Sequence, residues 1–185
     1  MEIISGLARG VRLTVPPGET VRPTAVRARK ALFDSLGDLT GTRVADLCAG
    51  AGGLGLEAAS RGAAEAVFVE RDARHCRMLE RNIAAVARTG VKAAMRIVTA
   101  DVRDADRWCA GTFDVIFADP PYAGSGDIFA AVLPELRKRA AGALLVWEIP
   151  DTPGAKGAFL TPGARFRKFG AAEFLLLELT EETER

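Results

Sequence analysis

The sequence predicts an α/β domain built around a mostly parallel β-sheet. From about residue 43, short apolar segments rich in Val, Ile and Phe alternate with longer segments of helical periodicity. Strand, helix, strand with short connections implies right-handed crossovers between parallel strands. The chain has 185 residues, 49% of them apolar, which is enough for one domain with a hydrophobic core.

The composition excludes several other classes of protein. No uncharged apolar run approaches the roughly 18 residues that a membrane-spanning helix needs. Charged residues, Glu2, Arg9 and Arg12, occupy the positions where a signal peptide would be apolar. Three cysteines without a CxxC spacing indicate free thiols and no zinc site. We therefore expect a cytoplasmic monomer that binds neither a metal nor a membrane.

The N-terminal part of the chain predicts a small appendage. Glu2–Ile4 and Val11–Val15 flank a glycine-containing loop and indicate a hairpin. A linker of two prolines and a glycine follows at residues 16–18. Thr24 then has the character of a helix cap, and its helix is expected to run to about Leu36.

Charge distinguishes this appendage from the rest of the chain. Residues 1–33 carry six basic and two acidic side chains, a net +4, whereas the remaining residues sum to −3. A basic arm on a mildly acidic body favours contact with a polyanion, although a solvated helix face explains the charge equally well. We therefore divide the chain into an appendage, 1–40, and a second domain, 41–185.

The second domain is predicted to contain five buried parallel strands, with three helices between them. The strands are Arg43–Cys48, Ala66–Glu70, Met95–Ala100, Phe113–Asp119 and Ala143–Glu148, and the helices are Leu54–Arg61, Asp72–Arg88 and a stretch near Asp127–Ala140. At the C-terminal end, three residues separate Arg165–Phe169 from Glu173–Leu179, too few for a crossover. These last two segments therefore predict an antiparallel hairpin.

A glycine-rich turn follows the first strand. Gly50, Gly52 and Gly55 match the pattern GxGxxG, and Glu70 ends the second strand 20 residues after Gly50. Glycines permit close backbone approach to a ligand, and a carboxylate at the end of the second strand can accept hydrogen bonds from ribose hydroxyls. The arrangement predicts a nucleotide-type ligand, and tight structural turns are the alternative.

The neighbouring charges indicate which nucleotide binds. Asp46, four residues before Gly50, would be poorly placed beside a pyrophosphate but suits the sulfonium and ammonium groups of S-adenosylmethionine (SAM). Hydride transfer commonly needs a proton-transfer residue, and the single histidine, His75, is expected on the surface, facing away from the strand ends. We therefore expect SAM rather than NAD.

Asp101 and Val102 end the third strand at the same edge of the sheet. The Asp101 carboxylate can accept from an adenine amino group, while the Val102 N–H meets a ring nitrogen. A carboxylate that caps the next helix is the alternative.

The fourth strand leads into Asp119-Pro120-Pro121-Tyr122. The two prolines make a stiff turn with outward carbonyls. Asp119 and the Pro120 carbonyl can each accept one hydrogen from the amino group of a planar base, and Tyr122 can stack on that base. These hydrogen bonds strengthen as the nitrogen becomes tetrahedral and its lone pair turns toward a methyl group. The turn predicts methyl transfer to an exocyclic amine, and an ordinary strand-terminal turn is the alternative.

A wider set of segments extends this pattern over nearly the whole chain. They are Ile3–Gly6, Arg9-Gly10, Arg22–Thr24 with Arg27 and Arg29, Ala31–Phe33, Leu54–Ala58 and Ser60–Ala63. With the glycine loop and the Asp-Pro-Pro-Tyr turn, they resemble the RsmD-like family of 16S ribosomal RNA guanine-N2 methyltransferases, which are class I SAM-dependent enzymes. The resemblance implies a Rossmann-like, seven-stranded sheet, SAM as the methyl donor and a guanine N2 as the acceptor. It also implies that residues 119–122 are catalytic and that Thr24 lies near the cofactor.

The resemblance implies ribosomal RNA as the partner, either naked or in a small subunit or its assembly intermediate. Arg9, Arg12, Arg22 and Arg27 are expected to bind phosphates, while the pocket binds an unpaired base. A stacked guanine cannot reach the catalytic turn, so the target nucleotide must be looped or flipped out.

Some positions depart from the family pattern. Leu7, Ala8 and Val11 stand in the hairpin where the family tends to carry basic residues and an aromatic. The RNA target is therefore less well defined than the chemistry. The alternatives are a DNA or other nucleobase (adenine N6) amino-methyltransferase, an NAD-dependent oxidoreductase and a non-enzymatic assembly factor that binds SAM and RNA.

Overall fold

The computed structural model describes residues 1–16 and 23–181, with side chains from residue 26 onwards in the second range. Its centre is a seven-stranded sheet in the order β3-β2-β1-β4-β5-β7-β6. The first five strands are parallel, and β7 runs antiparallel to both β5 and β6. The strands are β1 (Arg43–Leu47), β2 (Glu65–Glu70), β3 (Ala94–Thr99), β4 (Val115–Ala118), β5 (Leu144–Ile149), β6 (Arg165–Phe169) and β7 (Ala172–Glu178). This arrangement confirms the predicted fold class, including the C-terminal antiparallel hairpin.

Helices cover the sheet on both faces. They are α1 (Pro23–Leu36), α2 (Gly53–Ser60), α3 (Ala73–Ala87), α4 (Ala105–Trp108) and α5 (Ser125–Arg139), and a 3₁₀ helix spans Ala155–Phe159. The strands and helices predicted for the second domain lie within two residues of these bounds, whereas α4 and the 3₁₀ helix were not predicted. Among the described residues, no helix combines the length and apolar character needed to span a membrane.

The N-terminal segment differs from its prediction in two ways. Instead of two regular strands, Glu2 and Arg12 form a single antiparallel bridge. Helix α1 begins at Pro23, so Thr24 is its second residue and not its cap. A proline is well suited to a first helical position, since its missing N–H would have no partner there.

The N-terminal bridge is held against α2 by buried polar contacts. The Glu57 carboxylate, which is fully buried, accepts hydrogen bonds from the N–H groups of Ile4 (2.7 Å) and Ser5 (3.1 Å). The Ser60 hydroxyl accepts from the Ala8 N–H at 2.9 Å and donates to the Ser5 carbonyl at 2.6 Å. Ile3, Ala8 and Leu13 join Phe33 and Phe68 in the apolar core on this face of the sheet. The segment therefore packs as part of the main body.

Candidate functional site

A large cleft, with a volume of about 1170 Å³, lies at the carboxyl ends of β1 to β5. Parallel strands present such a crevice where the strand order reverses, here between β1 and β4. The cleft brings together eight of the residues predicted for the site. They are Gly50, Glu70, Asp101, Val102, Asp119, Pro120, Pro121 and Tyr122.

The glycine-rich loop turns sharply as it leaves β1. Cys48 has a φ of 58° and is the one non-glycine residue with positive φ in the described part of the chain. Gly50 also has positive φ, and its N–H donates to Glu70 Oε2 at 2.9 Å. This bond joins the loop to the end of β2. Because strained backbone concentrates at functional sites, the conformation of Cys48 agrees with a ligand-binding loop.

The other two glycines of the pattern serve packing. A Cβ atom at Gly52, whose φ is 81°, would lie 2.4 Å from Leu79 Cδ1. A Cβ atom at Gly55 would lie 2.4 Å from Phe68 Cε1. Both glycines therefore let α2 start close to the sheet and to α3, and neither is among the residues that line the cleft.

Glu70 is 7% exposed and has a fixed orientation. Its Oε1 accepts from the Asp72 N–H at 2.8 Å, and its Oε2 binds the glycine loop. Each carboxylate oxygen can accept a second hydrogen bond, so the group can still receive hydroxyl donors from the cleft.

Asp46 lies beneath the loop and does not line the cleft. Its Oδ2 accepts from the Gly55 N–H at 2.8 Å at the start of α2. Burial raises the pKa of Asp46 to about 8, and the nearby Asp119 and Glu70 carboxylates add to this increase. The geometry gives Asp46 a structural role in holding the loop, while direct contact with a ligand stays a prediction.

Asp101 forms a local turn at the end of β3. Its Oδ1 accepts from the Arg103 N–H at 3.0 Å, and its Oδ2 lies 3.2 Å from Arg103 Nη1 and 3.8 Å from Arg71 Nη1. Helix α4 begins later, after Asp104, so Asp101 is not its cap. The adjacent Val102 is buried at the base of the cleft.

The Asp-Pro-Pro-Tyr turn forms the other side of the cleft. Asp119 is exposed, Pro120 is buried, and Tyr122 is 53% exposed. The turn leads into α5, whose start is held against β5 because the Trp147 Nε1–H donates to the Ser125 hydroxyl at 3.1 Å. This hydrogen bond helps to fix the position of the turn. A fixed turn with an exposed carboxylate and an exposed ring can present both groups to one ligand.

The residues that line the cleft but were not predicted for the site include three with a titratable side chain close to the predicted residues: Arg29, His75 and Glu148. The prediction that His75 faces away from the strand ends is wrong, because His75 lies beside Glu70 at the end of β2, with 3.9 Å between Nδ1 and Oε1. Helical spacing on α3 would have revealed it, since His75 lies in the first turn of the helix, next to the strand end.

Glu148 lies near the end of β5 beside Asp119, and burial raises the pKa of Glu148 to about 8, with a further contribution from Asp119.

Arg29 is an almost fully buried cation on α1. Its Nη2 donates to the Glu2 carbonyl at 2.5 Å, and among the described residues none accepts from its Nε. A Cβ atom at Gly53 would lie 3.2 Å from Arg29 Nη1, so the guanidinium lies directly against the start of α2. Burial lowers the pKa of Arg29, and the charges of Glu57 and Glu2 oppose that shift. Sequence alone does not separate such an arginine from the exposed ones around it.

Three of the four predicted RNA-binding arginines lie on the N-terminal surface. Arg9, Arg12 and Arg27 are exposed, whereas Arg22 lies outside the described residues. The side chain of Thr24 also lies outside the described part. No group of three or more His, Cys, Asp or Glu residues in the described ranges is arranged to hold a metal ion.

Comparison with known proteins gives a consistent result. The family described as conserved hypothetical protein 95 matches residues 1–152. Ribosomal RNA small subunit methyltransferase D of Escherichia coli K12 is 33% identical over 123 residues, which are 66% of this chain and 60% of that protein. A solved structure of a hypothetical protein from Thermus thermophilus is 35% identical, has a TM-score of 0.75, and covers 96% of this chain and 99% of that one. The rRNA methyltransferase aviRa from Streptomyces viridochromogenes, 19% identical with a TM-score of 0.64, covers 94% of this chain and 91% of that one and shares the fold.

The match thus spans 60% of the length of the Escherichia coli relative. The glycine loop, the Asp-Pro-Pro-Tyr turn and the N-terminal segment all lie within the residues that the family covers. The family predicted from these motifs is confirmed. This chain belongs to the family described as conserved hypothetical protein 95, whose relatives include ribosomal RNA small subunit methyltransferase D.

Proposed function

We propose that this chain transfers a methyl group from SAM to the exocyclic N2 amino group of a guanine in the 16S ribosomal RNA of the small subunit. The observation that carries the proposal is the shared cleft, in which the glycine loop and Glu70 lie opposite the Asp-Pro-Pro-Tyr turn. Family membership and the name of the Escherichia coli relative support the same reaction and the same class of substrate.

The residues around the glycine loop fit the charged and polar groups of SAM. The Glu70 carboxylate suits the ribose hydroxyls, and Asp101 with the Val102 N–H suits the adenine edge. SAM also carries an α-carboxylate, which needs a cation or a helix N-terminus. The guanidinium of Arg29, with its unpaired Nε, is such a cation. It lies against the first turn of α2, so a cation and a helix N-terminus occur together there. SAM contributes an electrophilic methyl group on its sulfonium.

The opposite side of the cleft suits an amino group on a planar base. Asp119 and the Pro120 carbonyl are assigned to the two amino hydrogens, with Pro121 stiffening the turn and Tyr122 stacking on the ring. As the new N–C bond forms and the S–C bond breaks, sulfur keeps the electron pair of that bond. The nitrogen then loses one proton to solvent or to the exposed Asp119 carboxylate. Acceptors fixed at the amine favour this transition state over the ground state.

The N-terminal surface suits the phosphate backbone of the RNA. Arg9, Arg12 and Arg27 are exposed, and neither Arg9 nor Arg12 forms an ion pair with a described residue. We assign these arginines, together with Arg22, to phosphate contacts that position the RNA while the cleft receives a flipped guanine.

The proposal is tested by incubating the purified chain with isotopically labelled SAM and, separately, with 16S RNA, small subunits and duplex DNA that all lack the modification. Nucleoside mass spectrometry then locates the label. Label in N2-methylguanosine from RNA or subunits is the expected result, and it identifies the form of the substrate. Label in N6-methyladenosine, or in DNA alone, would contradict the proposal. Bound SAM with no transfer to any substrate would favour a non-enzymatic assembly factor.

A further inference from the structure

Glu148 and Asp119 are neighbours at the carboxyl edge of the sheet. Strands β4 and β5 are parallel with Ala118 opposite Trp147, so the next residues along them, Asp119 and Glu148, come side by side. Neighbouring strands lie about 4.8 Å apart, and paired residues project to the same face. Both side chains line the cleft beside Tyr122. No residue in the described ranges hydrogen-bonds the Glu148 carboxyl group, which leaves this group available to a ligand.

The proposed reaction places the reacting amine at Asp119, so Glu148 would face the next groups along the edge of the base. In guanine these groups are the N1–H donor and then the O6 acceptor. In adenine and cytosine the ring nitrogen beside the exocyclic amine is unprotonated and is an acceptor. An oxygen acceptor next to the amine site therefore separates guanine from the other two amino-bearing bases.

From this juxtaposition we infer that the Glu148 carboxyl group selects guanine by binding its N1–H and O6 while Asp119 binds the N2 amine. The inference rests on the proposed function and adds a specificity-determining residue to it. A carboxylic acid offers a carbonyl oxygen that accepts from N1–H and an O–H that donates to O6. A carboxylate would lack the second bond and would repel O6.

The surroundings of Glu148 favour its uncharged form. Burial raises the pKa of Glu148 to about 8, and the adjacent Asp119 charge adds to the increase. Asp151 and Arg29 also line the cleft, and Lys156, Lys168 and Glu173 surround a smaller adjoining pocket. Of the described charges, Asp119 is the one that acts on the pKa of Glu148. At neutral pH Glu148 is therefore predominantly a carboxylic acid.

The test compares two RNA substrates that differ at the methylated nucleotide, which carries either guanosine or 2-aminopurine riboside. The second base retains the 2-amino group and lacks both N1–H and O6. The enzymes are the wild type, Glu148→Gln, Glu148→Ala and the control Glu178→Gln, an exposed glutamate on β7. The measurements are kcat/KM for each substrate between pH 6 and 9.5 and SAM affinity by calorimetry.

With guanosine, Glu148→Ala is expected to lower kcat/KM by roughly one to two orders of magnitude, because two hydrogen bonds to the base are lost. It should lower kcat/KM much less with 2-aminopurine, so that the preference for guanosine shrinks. Glu148→Gln, whose amide imitates the uncharged acid, should stay within about fivefold of the wild type. Wild-type kcat/KM should fall as pH rises through about 8, because Glu148 ionises, and Glu148→Gln should lack that fall.

An unchanged preference for guanosine in Glu148→Ala would overturn the inference even though RNA methylation continues. So would a Glu148→Gln variant as impaired as Glu148→Ala, since it would show that the charged form is needed. If the wild type methylates no guanine N2 in any RNA, the proposed function fails and the inference falls with it. SAM affinity close to the wild-type value in both Glu148 variants shows that the fold and the donor side are intact.

Discussion

Asp119 and Glu70 line the same cleft, but the proposed reaction gives them different ligands. Asp119 faces the amine whose charge changes during transfer, whereas Glu70 faces a ribose that does not react. Substitution should therefore separate the two roles. Loss of Asp119 should reduce the rate of methyl transfer, and loss of charge at Glu70 should reduce the affinity for SAM.

For Asp119→Ala we expect methyl transfer to fall by at least about 10²–10³-fold, the usual effect of removing a group that stabilises a transition state. SAM affinity should stay close to the wild-type value. Single-turnover transfer of labelled methyl and calorimetry measure the two quantities. Asp127→Ala, an exposed aspartate in the first turn of α5, serves as the control. Substantial turnover in Asp119→Ala would remove Asp119 from the mechanism.

For Glu70→Gln we expect SAM to bind roughly tenfold more weakly or worse, because hydrogen bonds to a charged acceptor contribute about 1.5–3 kcal/mol. The amide oxygen can still accept from the Gly50 N–H, which keeps the contact with the loop, while the amide NH2 replaces the oxygen that accepts from the Asp72 N–H, so that contact is lost. Calorimetry measures the affinity, and urea unfolding tests the fold against Glu80→Gln, an exposed glutamate on α3. Equal SAM affinity in the two variants would contradict the ribose assignment.

At the scale of elements, the N-terminal turn depends on close approach to α2. Gly6 and Gly10 both have positive φ, 79° and 83°, but their surroundings differ. A Cβ atom at Gly6 would lie 1.9 Å from the Ser60 carbonyl oxygen, whereas nothing lies within 4 Å of one at Gly10. Alanine should therefore cost about 1 kcal/mol at Gly10, from backbone strain alone, and distinctly more at Gly6.

Urea unfolding of Gly6→Ala and Gly10→Ala checks this difference, and the second variant is the matched control. Amide hydrogen exchange at Leu7, whose N–H donates to the Ser60 carbonyl at 2.8 Å, should accelerate in Gly6→Ala alone. Equal destabilisation in the two variants would show that the segment does not need its contact with α2.

The same element carries the proposed RNA contacts. Reversing the charge of both Arg9 and Arg12 to glutamate should weaken RNA binding and flatten its dependence on salt, by about 0.7 in the logarithmic slope for each lost phosphate contact. Filter binding or anisotropy at several salt concentrations measures the slope. A variant with Arg107 and Arg165 reversed, two exposed arginines elsewhere, has the same net charge. If the two variants have equal slopes, the arm has no specific role in RNA binding.

At the scale of the whole molecule, local signals predicted the fold and much of the cleft. Strands β1, β2, β4 and β5 are mostly buried because both faces of the sheet are covered there, and their apolar pattern is visible in the sequence. The prediction that the third strand is buried is wrong, because β3 lies at the edge of the sheet and has no buried residue. Contacts between residues that are far apart in the sequence could not be predicted from such local patterns. Glu57 binds the N–H of Ile4, 53 positions away, and Glu148 reaches Asp119 only through the register of β4 and β5. Gly52 was visible as part of a glycine motif, but its packing role depends on where Leu79 lies.

Two carboxyl groups with raised pKa values also determine how the stability of the whole molecule should respond to pH. Asp46 and Glu148 each have a folded-state pKa of about 8, against ordinary values of 3.8 and 4.5. Between these limits the folded protein holds protons that the unfolded chain releases, so a rise in pH favours unfolding. The stabilisation is complete below about pH 4 and is lost as pH approaches 8. The slope reaches at most about 1.4 kcal/mol per pH unit for each group.

Urea unfolding between pH 5.5 and 8 should therefore give a free energy of unfolding that decreases as pH rises. Asp46→Asn, whose amide oxygen can still accept from the Gly55 N–H, should remove part of the slope, and Asp46→Asn with Glu148→Gln should remove most of it. Glu80→Gln, whose exposed side chain lies on α3, is the control and should keep the wild-type slope. Stability that rises with pH in this range would mean that both groups are ionised in the folded protein. The inference that Glu148 selects guanine as an uncharged carboxylic acid would then be wrong.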